Sequence, residues 1–291
     1  MNKAQITISS NVDINAIYFG ITLSGYEYAD IDKSDDITKR LQQIRHYSGL
    51  DEAKEYFSRA RQSTCVVYPF WPRVALLEIA IFFINDKGFD YDGYCTYVKA
   101  RSNLTDEEKS DDFFCWIKDF TKYLIQIKSD SFFQDINRQL SDKVNKISAS
   151  SAEKIDLIKS RLDSLSASTV SAISTISLII CPIKCVYSAD YFAVGPVISV
   201  ILGDFLPHSI VHEYLHPIVH SCIQKHREHI VAHNERKYLN LDQSYHMGND
   251  ENGKLNAFEE NIVRIISDLI LDDVDINIEQ LILDELNNQH K

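Results

Sequence analysis

The segment VHEYLHP, at residues 211–217, places two histidines four positions apart, with a glutamate directly after the first. If this segment is helical, His212 and His216 lie on the same face, because one helical turn takes 3.6 residues. Their imidazoles could then bind one metal ion, and zinc is commonly held by such nitrogens together with a carboxylate. Glu213 could accept a proton from a water in the open coordination position. The pattern predicts a hydrolytic zinc centre.

A third metal ligand is expected on a later helix, and the segment NAFEENIVRIISDLILDD offers Glu259 and Glu260. Apolar residues recur through this segment at helical spacing, so a carboxylate near its start is costly to bury unless a cation neutralises it. Rotation about the helix axis places Glu259 nearer the middle of the apolar face. The residues alone therefore leave both glutamates open as the ligand, and periodicity favours Glu259.

The two motifs together resemble the gluzincins, the zinc peptidase clan of thermolysin, in which a glutamate on a later helix completes H-E-x-x-H. In that clan a small and an apolar residue typically stand three and two positions before the ligand glutamate, and apolar residues follow two and five positions after it. Four residues fit this frame if the ligand is Glu260: Ala257, Phe258, Ile262 and Ile265. The resemblance implies Zn²⁺ held by His212, His216 and Glu260, with Glu213 as catalytic base.

Most of the chain is similar to an uncharacterised bacterial family of proposed zinc metalloproteases, described mainly as a domain of unknown function. The similarity rests on the run NVDINAIYFGITLSGYEY, the strand with its Gly-Pro turn before the histidine motif, and the segment EENIVR. Outside the zinc motifs these positions are not specific. The similarity implies a peptidase-like fold and no particular substrate.

Two residues depart from the clan pattern. Pro217 follows the second histidine directly and should kink the helix, because proline has no N–H to donate to the carbonyl of Glu213. Arg264 stands where the clan often has an aspartate that orients the first histidine. Since a ligand imidazole generally needs an acceptor on its other nitrogen, Asp268 and Asp204 become the candidates for that role.

Other histidines and a tyrosine could take part in the site. His220 continues the row of His212 and His216, but beyond Pro217 we expect it to have a polar surface role. The clan commonly uses a tyrosine or histidine to stabilise the oxyanion, which makes Tyr245 and His246 candidates. The remaining nearby histidines are expected to lie in a solvated, partly basic stretch: His208, His226, His229 and His233.

The hydrophobic pattern predicts an α+β fold that is mainly helical, with a zincin-like catalytic region and a small β-sheet beside the active-site helix. Helical spacing runs from Val12 to about Ile147, and one helix is expected to begin near Thr105 and continue to Ile127. Two strands follow, within TVSAISTISLIICPIKCVYS and GPVISVILG. The small polar segment NKISASS suggests a helical region at 1–149 and a catalytic region at 150–291, or one continuous domain.

Composition and charge limit the possible partners. The chain of 291 residues has a formal net charge of −12, which disfavours binding to nucleic acid. The N-terminus lacks the pattern of a signal peptide and no apolar run is long enough to span a membrane, so a cytoplasmic protein without a membrane partner is expected. The six cysteines are scattered, and Cys181 and Cys185 form only a weak metal-binding pattern.

The preferred hypothesis is therefore a zinc metallopeptidase acting on a peptide or protein substrate, which the strand GPVISVILG could bind as an added strand. That strand could equally be an ordinary core strand. The alternative function is a zincin-fold protein that binds or scaffolds without catalysis, which Pro217 and Arg264 favour. A third reading treats VHEYLHP as accidental in a helical interaction protein, and the matching glutamate helix argues against it.

Overall fold

The computed structural model describes residues 5–26, 33–61, 72–101, 107–166, 174–186, 189–233, 251–272, 274 and 276–288. Over these residues the chain is mainly helical, with one four-stranded mixed sheet and one short two-stranded hairpin. This confirms the expected mainly helical α+β class.

The strands are β1 (Gln5–Ser9), β2 (Ile84–Asn85), β3 (Gly88–Phe89), β4 (Thr175–Ile180), β5 (Asp190–Val194) and β6 (Val197–Leu202). The helices of the N-terminal half are α1 (Val12–Leu23), α2 (Asp35–Arg45), α3 (Asp51–Ser58), α4 (Pro72–Phe82), α5 (Tyr91–Arg101), α6 (Glu107–Lys118), α7 (Phe120–Ser129) and α8 (Ser131–Ser150). Those of the C-terminal half are α9 (Ala152–Ser166), α10 (Pro207–Lys225), α11 (Arg227–His233), α12 (Glu251–Leu271) and α13 (Ile278–Asn288).

The large sheet has the strand order β1-β4-β6-β5. β1, β4 and β6 are parallel, and β5 is antiparallel to β6. Val194 pairs with Val197, so Gly195 and Pro196 form a two-residue turn between the last two strands. Gly195 has a φ of 58°, in the left-handed region where a residue without a Cβ is favoured. This hairpin leads directly to α10.

The sheet separates two apolar cores, because successive side chains of a strand point to opposite faces. One face packs against the N-terminal helices through Ile179, Phe192 and Ile201. The other face packs against the C-terminal helices through Leu178, Ile180, Ile198, Val200 and Leu202. The alternation on β6, with Ile198 and Val200 on one side and Ile201 on the other, explains why this strand is apolar almost throughout. The sheet is therefore a central layer between two layers of helices.

Several elements differ from the sequence-based expectation. β1 pairs with β4, so the sheet takes strands from both sides of residue 149, and the segment NKISASS lies within α8 and Ser151. The helix expected from Thr105 to Ile127 is two helices, α6 and α7, interrupted at Asp119. The hairpin of β2 and β3 is not predicted from the sequence. The division into residues 1–149 and 150–291 stays a prediction.

The suggestion that the strand GPVISVILG binds a substrate as an added strand is wrong, because this strand does not lie at an edge of the sheet. β6, which contains most of GPVISVILG, pairs with β4 on one side and β5 on the other. Its backbone groups are therefore already used, and it is the core strand of the alternative interpretation. β5 is the strand at this end of the described sheet.

No helix among the described residues combines the length and the apolar composition needed to cross a membrane. The cytoplasmic location and the absence of a nucleic-acid partner stay predictions from sequence.

Asp190, the first residue of β5, has a buried carboxylate with three partners. Arg73 on α4 contacts Oδ1 at 2.7 Å, the Tyr18 hydroxyl on α1 donates to Oδ2 at 2.7 Å, and Lys184 Nζ lies 3.3 Å from Oδ2. Burial alone would raise the pKa of Asp190, but the charges of Arg73 and Lys184 and the Tyr18 hydrogen bond hold it below its usual value. This cluster ties the N-terminal helices to the sheet.

Replacing Asp190 should destabilise the fold strongly. In Asp190→Asn the buried cations Arg73 and Lys184 lose their anion, and breaking such a buried pair typically costs about 3–5 kcal/mol. Urea unfolding followed by circular dichroism measures the change. Asp36→Asn, which breaks an exposed pair with Arg40 on α2, is the matched control and should cost about 0.5 kcal/mol or less. Equal losses for the two variants would contradict this account of the cluster.

Candidate metal centre

Helix α10 presents the histidines of the motif on one face. Pro207 stands in its first turn, where the missing N–H is tolerated, and the helix continues through Pro217 to Lys225 without interruption. The expected kink therefore does not end the helix. Its apolar side is buried by residues at helical spacing: Ile210, Val211, Tyr214, Leu215, Ile218, Val219 and Cys222.

Helix α12 brings the two candidate glutamates opposite that face, and α10 packs more extensively against α12 than against any other described element. Phe258, Ile262 and Val263 are fully buried and fix the rotation of α12 about its own axis. Glu259 and Glu260 are each only 9% exposed. Because they are neighbours on a helix, their carboxylates leave it about 100° apart and reach different atoms of the histidines.

The Nε2 atoms of His212 and His216 and one oxygen of Glu260 form a small triangle. The two nitrogens are 3.3 Å apart, and Oε2 of Glu260 is 3.5 Å from His212 Nε2 and 3.7 Å from His216 Nε2. In a tetrahedral zinc site with bonds of about 2.0–2.2 Å, ligand atoms stand about 3.3–3.6 Å apart. The spacing of the three atoms thus suits a shared ion.

The triangle also has the right electronic character for a cation. Three electron-pair donors that converge at this distance repel one another unless a proton or a metal ion lies among them. Among the described residues, His212, His216 and Glu260 form a group whose ligand atoms lie close enough together to hold one metal ion. Glu259 is not a member of the group.

Arg264 holds the other oxygen of Glu260. Its Nε donates to Oε1 at 2.8 Å, from one turn further along α12. Burial would raise the pKa of Glu260, but His212, His216 and Arg264 lower it to about 2. The carboxylate is therefore ionised at neutral pH and presents a single oxygen, Oε2, to the triangle. The arginine that departs from the clan pattern orients the carboxylate.

Glu259 contacts the outer side of the histidine row. Its Oε1 lies 2.9 Å from His216 Nδ1, and its Oε2 lies 2.8 Å from His220 Nδ1. When His216 donates from Nδ1, its Nε2 keeps the lone pair that faces the triangle. Burial would lower the pKa of His216, but Glu259 and Glu213 raise it above its ordinary value. Glu259 is thus an acceptor for a histidine of the triangle.

Glu213 lies beside the triangle on α10 and is half-buried. Burial raises the pKa of its carboxyl, with a smaller contribution from Glu260, while the nearby His216 and His212 oppose that rise. Among the residues that the structure describes, no hydrogen bond or ion pair occupies this carboxyl. A carboxylate with a raised pKa and free oxygens has the properties of a general base.

Tyr191 on β5 is a neighbour of the site that the sequence did not reveal. Its ring centroid lies 6.3 Å from that of His216, and burial together with the charges of Glu213 and Glu259 raises its pKa. The phenol therefore keeps its proton and can act as a hydrogen-bond donor. Tyr191 carries no motif, and only the pairing of β5 with β6 brings it to α10.

Several sequence-based candidates lie elsewhere. The proposal that Asp268 or Asp204 accepts from a histidine of the motif is wrong: Asp268 contacts His208 at 3.2 Å, and Asp204 accepts from the backbone of Phe205. No described residue accepts a hydrogen bond from His212 Nδ1. Tyr245 and His246 lie outside the described residues, so their suggested role stays a prediction.

The cysteine pair does not join the candidate centre. Cys181 and Cys185 are both free and buried, and burial raises the pKa of Cys181 to about 12. A thiol binds metal as the thiolate, so this shift disfavours Cys181 as a ligand. His220, by contrast, is exposed as expected, with a side chain 55% accessible to solvent, although it also contacts Glu259.

Metal binding should strengthen as the pH rises. Because the pKa of His216 is raised above about 6.5, the metal-free site keeps a proton that a metal ion must displace. Glu260, with a pKa of about 2, stays charged throughout and adds no pH dependence. Titration with Zn²⁺ against a chromophoric chelator should show affinity rising at least about tenfold per pH unit below the pKa of His216, since His212 must also be free of a proton to bind, and then levelling off. An affinity independent of pH would contradict the exchange of a proton for metal at His216.

Comparison with known proteins adds no relative on which to base an assignment: no family model matches the chain, and no curated protein or solved structure shows significant similarity to it. The resemblance to the gluzincins stays a prediction from the motifs.

Proposed function

We propose that this protein is a zinc-dependent metallopeptidase of zincin-like fold, in which His212, His216 and Glu260 hold the metal. The observation that carries the proposal is the convergence of two Nε2 atoms and one carboxylate oxygen at 3.3–3.7 Å. Two neutral nitrogens and one ionised oxygen are a donor set that suits zinc and leaves a fourth position open. The substrate class, a peptide or protein, is inferred from the H-E-x-x-H motif.

Zinc bound by these three residues would supply a Lewis acid and lower the pKa of a coordinated water towards about 7. The protein's own groups complete the centre. Arg264 holds Glu260 so that Oε2 faces the two Nε2 atoms that would share the ion with it, and the contact of Glu259 with Nδ1 favours the His216 tautomer whose Nε2 could bind the ion. Both contacts orient ligand atoms before the ion binds, which reduces the cost of assembling the site.

Glu213 is the proposed general base. It accepts a proton from the attacking water at its carboxylate, and passes that proton to the leaving amine. In the metal-free site, burial raises the pKa of Glu213, so its carboxylate is a stronger base than an exposed glutamate. Its oxygens are free to receive the proton, since no described residue binds them.

A non-catalytic metal-binding protein is the second candidate. The observation that favours it is the ion pair between Arg264 and Glu260, because a cation on the ligand carboxylate weakens its donation to the metal. Pro217, the other departure from the clan pattern, lies inside α10, and the helix continues through it to Lys225. The two candidates share the metal site and differ in whether Glu213 does chemistry.

The ligand assignment predicts different losses of zinc for the two neighbouring glutamates. Wild-type protein should retain close to one zinc per chain. Glu259→Gln should weaken zinc binding about 10- to 100-fold, because it removes the charge from the acceptor of His216. Glu260→Gln should weaken it far more, because it removes a metal bond. Chelator competition on both variants measures the difference, and the reverse order would transfer the ligand role to Glu259.

The base assignment is tested with Glu213→Gln, which keeps the size of the side chain but removes the basic oxygen. Zinc content and folding should stay close to wild type, while hydrolysis of a mixed fluorogenic peptide library should fall about 10²- to 10⁴-fold. Glu228→Gln on α11, an exposed position, is the matched control and should keep full activity.

The outcomes of this assay separate the candidates. Equal cleavage by wild type and Glu213→Gln would show that Glu213 is not the base. A wild type that holds zinc and cleaves nothing across the library would favour the non-catalytic alternative. Loss of zinc in Glu213→Gln would instead assign Glu213 a role in holding the metal.

A further inference from the structure

His220 extends the histidine row of α10 by one more turn and uses a different ring nitrogen. His212 and His216 present Nε2 to the triangle, whereas His220 directs Nδ1 to Glu259 Oε2 at 2.8 Å. Glu259 in turn contacts His216 Nδ1 through its other oxygen at 2.9 Å. One carboxylate of α12 therefore bridges two histidines that lie four residues apart on α10.

We propose that His220 is a positioning residue of the metal centre, which acts through Glu259 on the ligand His216. The inference rests on the proposed metal site and concerns how tightly that site holds its ion. His220 itself does not contact the triangle atoms. Its effect on the metal is transmitted by a single carboxylate.

The physical basis is the freedom of a glutamate side chain. The terminal torsion of glutamate has a broad minimum, so one hydrogen bond leaves the carboxylate free to rock. Two hydrogen bonds to two different oxygens, from donors on the same helix, define its plane. His220 therefore restricts the orientation in which Glu259 Oε1 meets His216 Nδ1. That orientation fixes the direction of the His216 lone pair.

The surroundings of His220 make a purely packing role small. Its side chain is 55% exposed, and the neighbouring Gln224 amide, 3.4 Å from Nε2, is exposed too. Removing such a ring leaves no buried cavity. Glu259, in contrast, is buried, so the loss of His220 opens one of its oxygens to water and leaves the other on His216. A change in metal affinity would then report orientation rather than collapse of the core.

The test is a Zn²⁺ titration of the full chain against a chromophoric chelator, with thermal unfolding of the metal-free protein in parallel. His220→Ala should weaken zinc binding about tenfold, at the lower end of the effect of removing a partner of a ligand histidine. His220→Asn should restore affinity to within about twofold of wild type, since asparagine Nδ2 occupies nearly the position of histidine Nδ1.

A matched control and a double variant complete the design. Lys225→Ala removes a similarly exposed residue of α10 that pairs with Glu279 on α13, and it should leave zinc affinity unchanged. Glu259→Ala should weaken binding about 10- to 100-fold, and adding His220→Ala to it should have no further effect. That non-additivity is the signature of an action through Glu259.

The failure of this inference and that of the proposed function give different results. If wild type binds zinc and His220→Ala binds it equally well, His220 is not a positioning residue and the metal site stands. Losses that add in the double variant, or a His220→Asn variant as weak as His220→Ala, also overturn it. If wild type binds no zinc, the proposed metal site is wrong, and the role of His220 falls with it.

Discussion

The burial of two adjacent carboxylates against a row of histidines is the constraint on which the rest of the site depends. Glu259 and Glu260 stand at the interface of α10 and α12, where an unpaired charge would be costly. Their neighbouring positions send one carboxylate to the Nε2 side of the row and the other to the Nδ1 side. The same packing that buries Phe258 therefore places one glutamate in the triangle and the other against the Nδ1 atoms of the row.

This interface needs a rigid support, which the sheet provides. The hairpin of β5 and β6 runs directly into α10, and Tyr191 on β5 rests beside the His216 ring. β5 is itself fixed by Asp190, whose partners Arg73 and Tyr18 belong to helices of the N-terminal half. Although the N-terminal helices contribute no ligand of the triangle, they hold the strand that borders it. One layer of helices thus provides the residues of the triangle, and the other supports the strand beside it.

The sequence predicted the parts of the site that depend on local spacing. The helical row of His212 and His216 follows from 3.6 residues per turn, and the interrupted apolar pattern near residue 260 marks a buried carboxylate. What spacing could not provide is the rotation of α12 against α10. For that reason Glu259, favoured by periodicity alone, is found on the outer side of the row, and Asp268 faces His208 instead of a histidine of the motif.

The fold shows the same division between local and non-local information. The helical stretches and the strands around residues 175–202 were recognisable from composition and turns. The pairing of β1 with β4 joins segments more than 160 residues apart. The residue pattern of either short strand does not indicate which strand it pairs with. The sequence also left open whether β6 is a substrate-binding edge or a core strand, because strand order is a tertiary property. Arg264 appeared as a departure from a pattern, and its contact with Glu260 required the structure.

X-ray absorption at the zinc edge of the purified protein tests the central claim most directly. The account predicts two imidazole nitrogens and further oxygen ligands at about 2.0–2.2 Å, with no sulfur in the coordination shell. Sulfur at about 2.3 Å would place the metal on cysteines and contradict the centre formed by His212, His216 and Glu260.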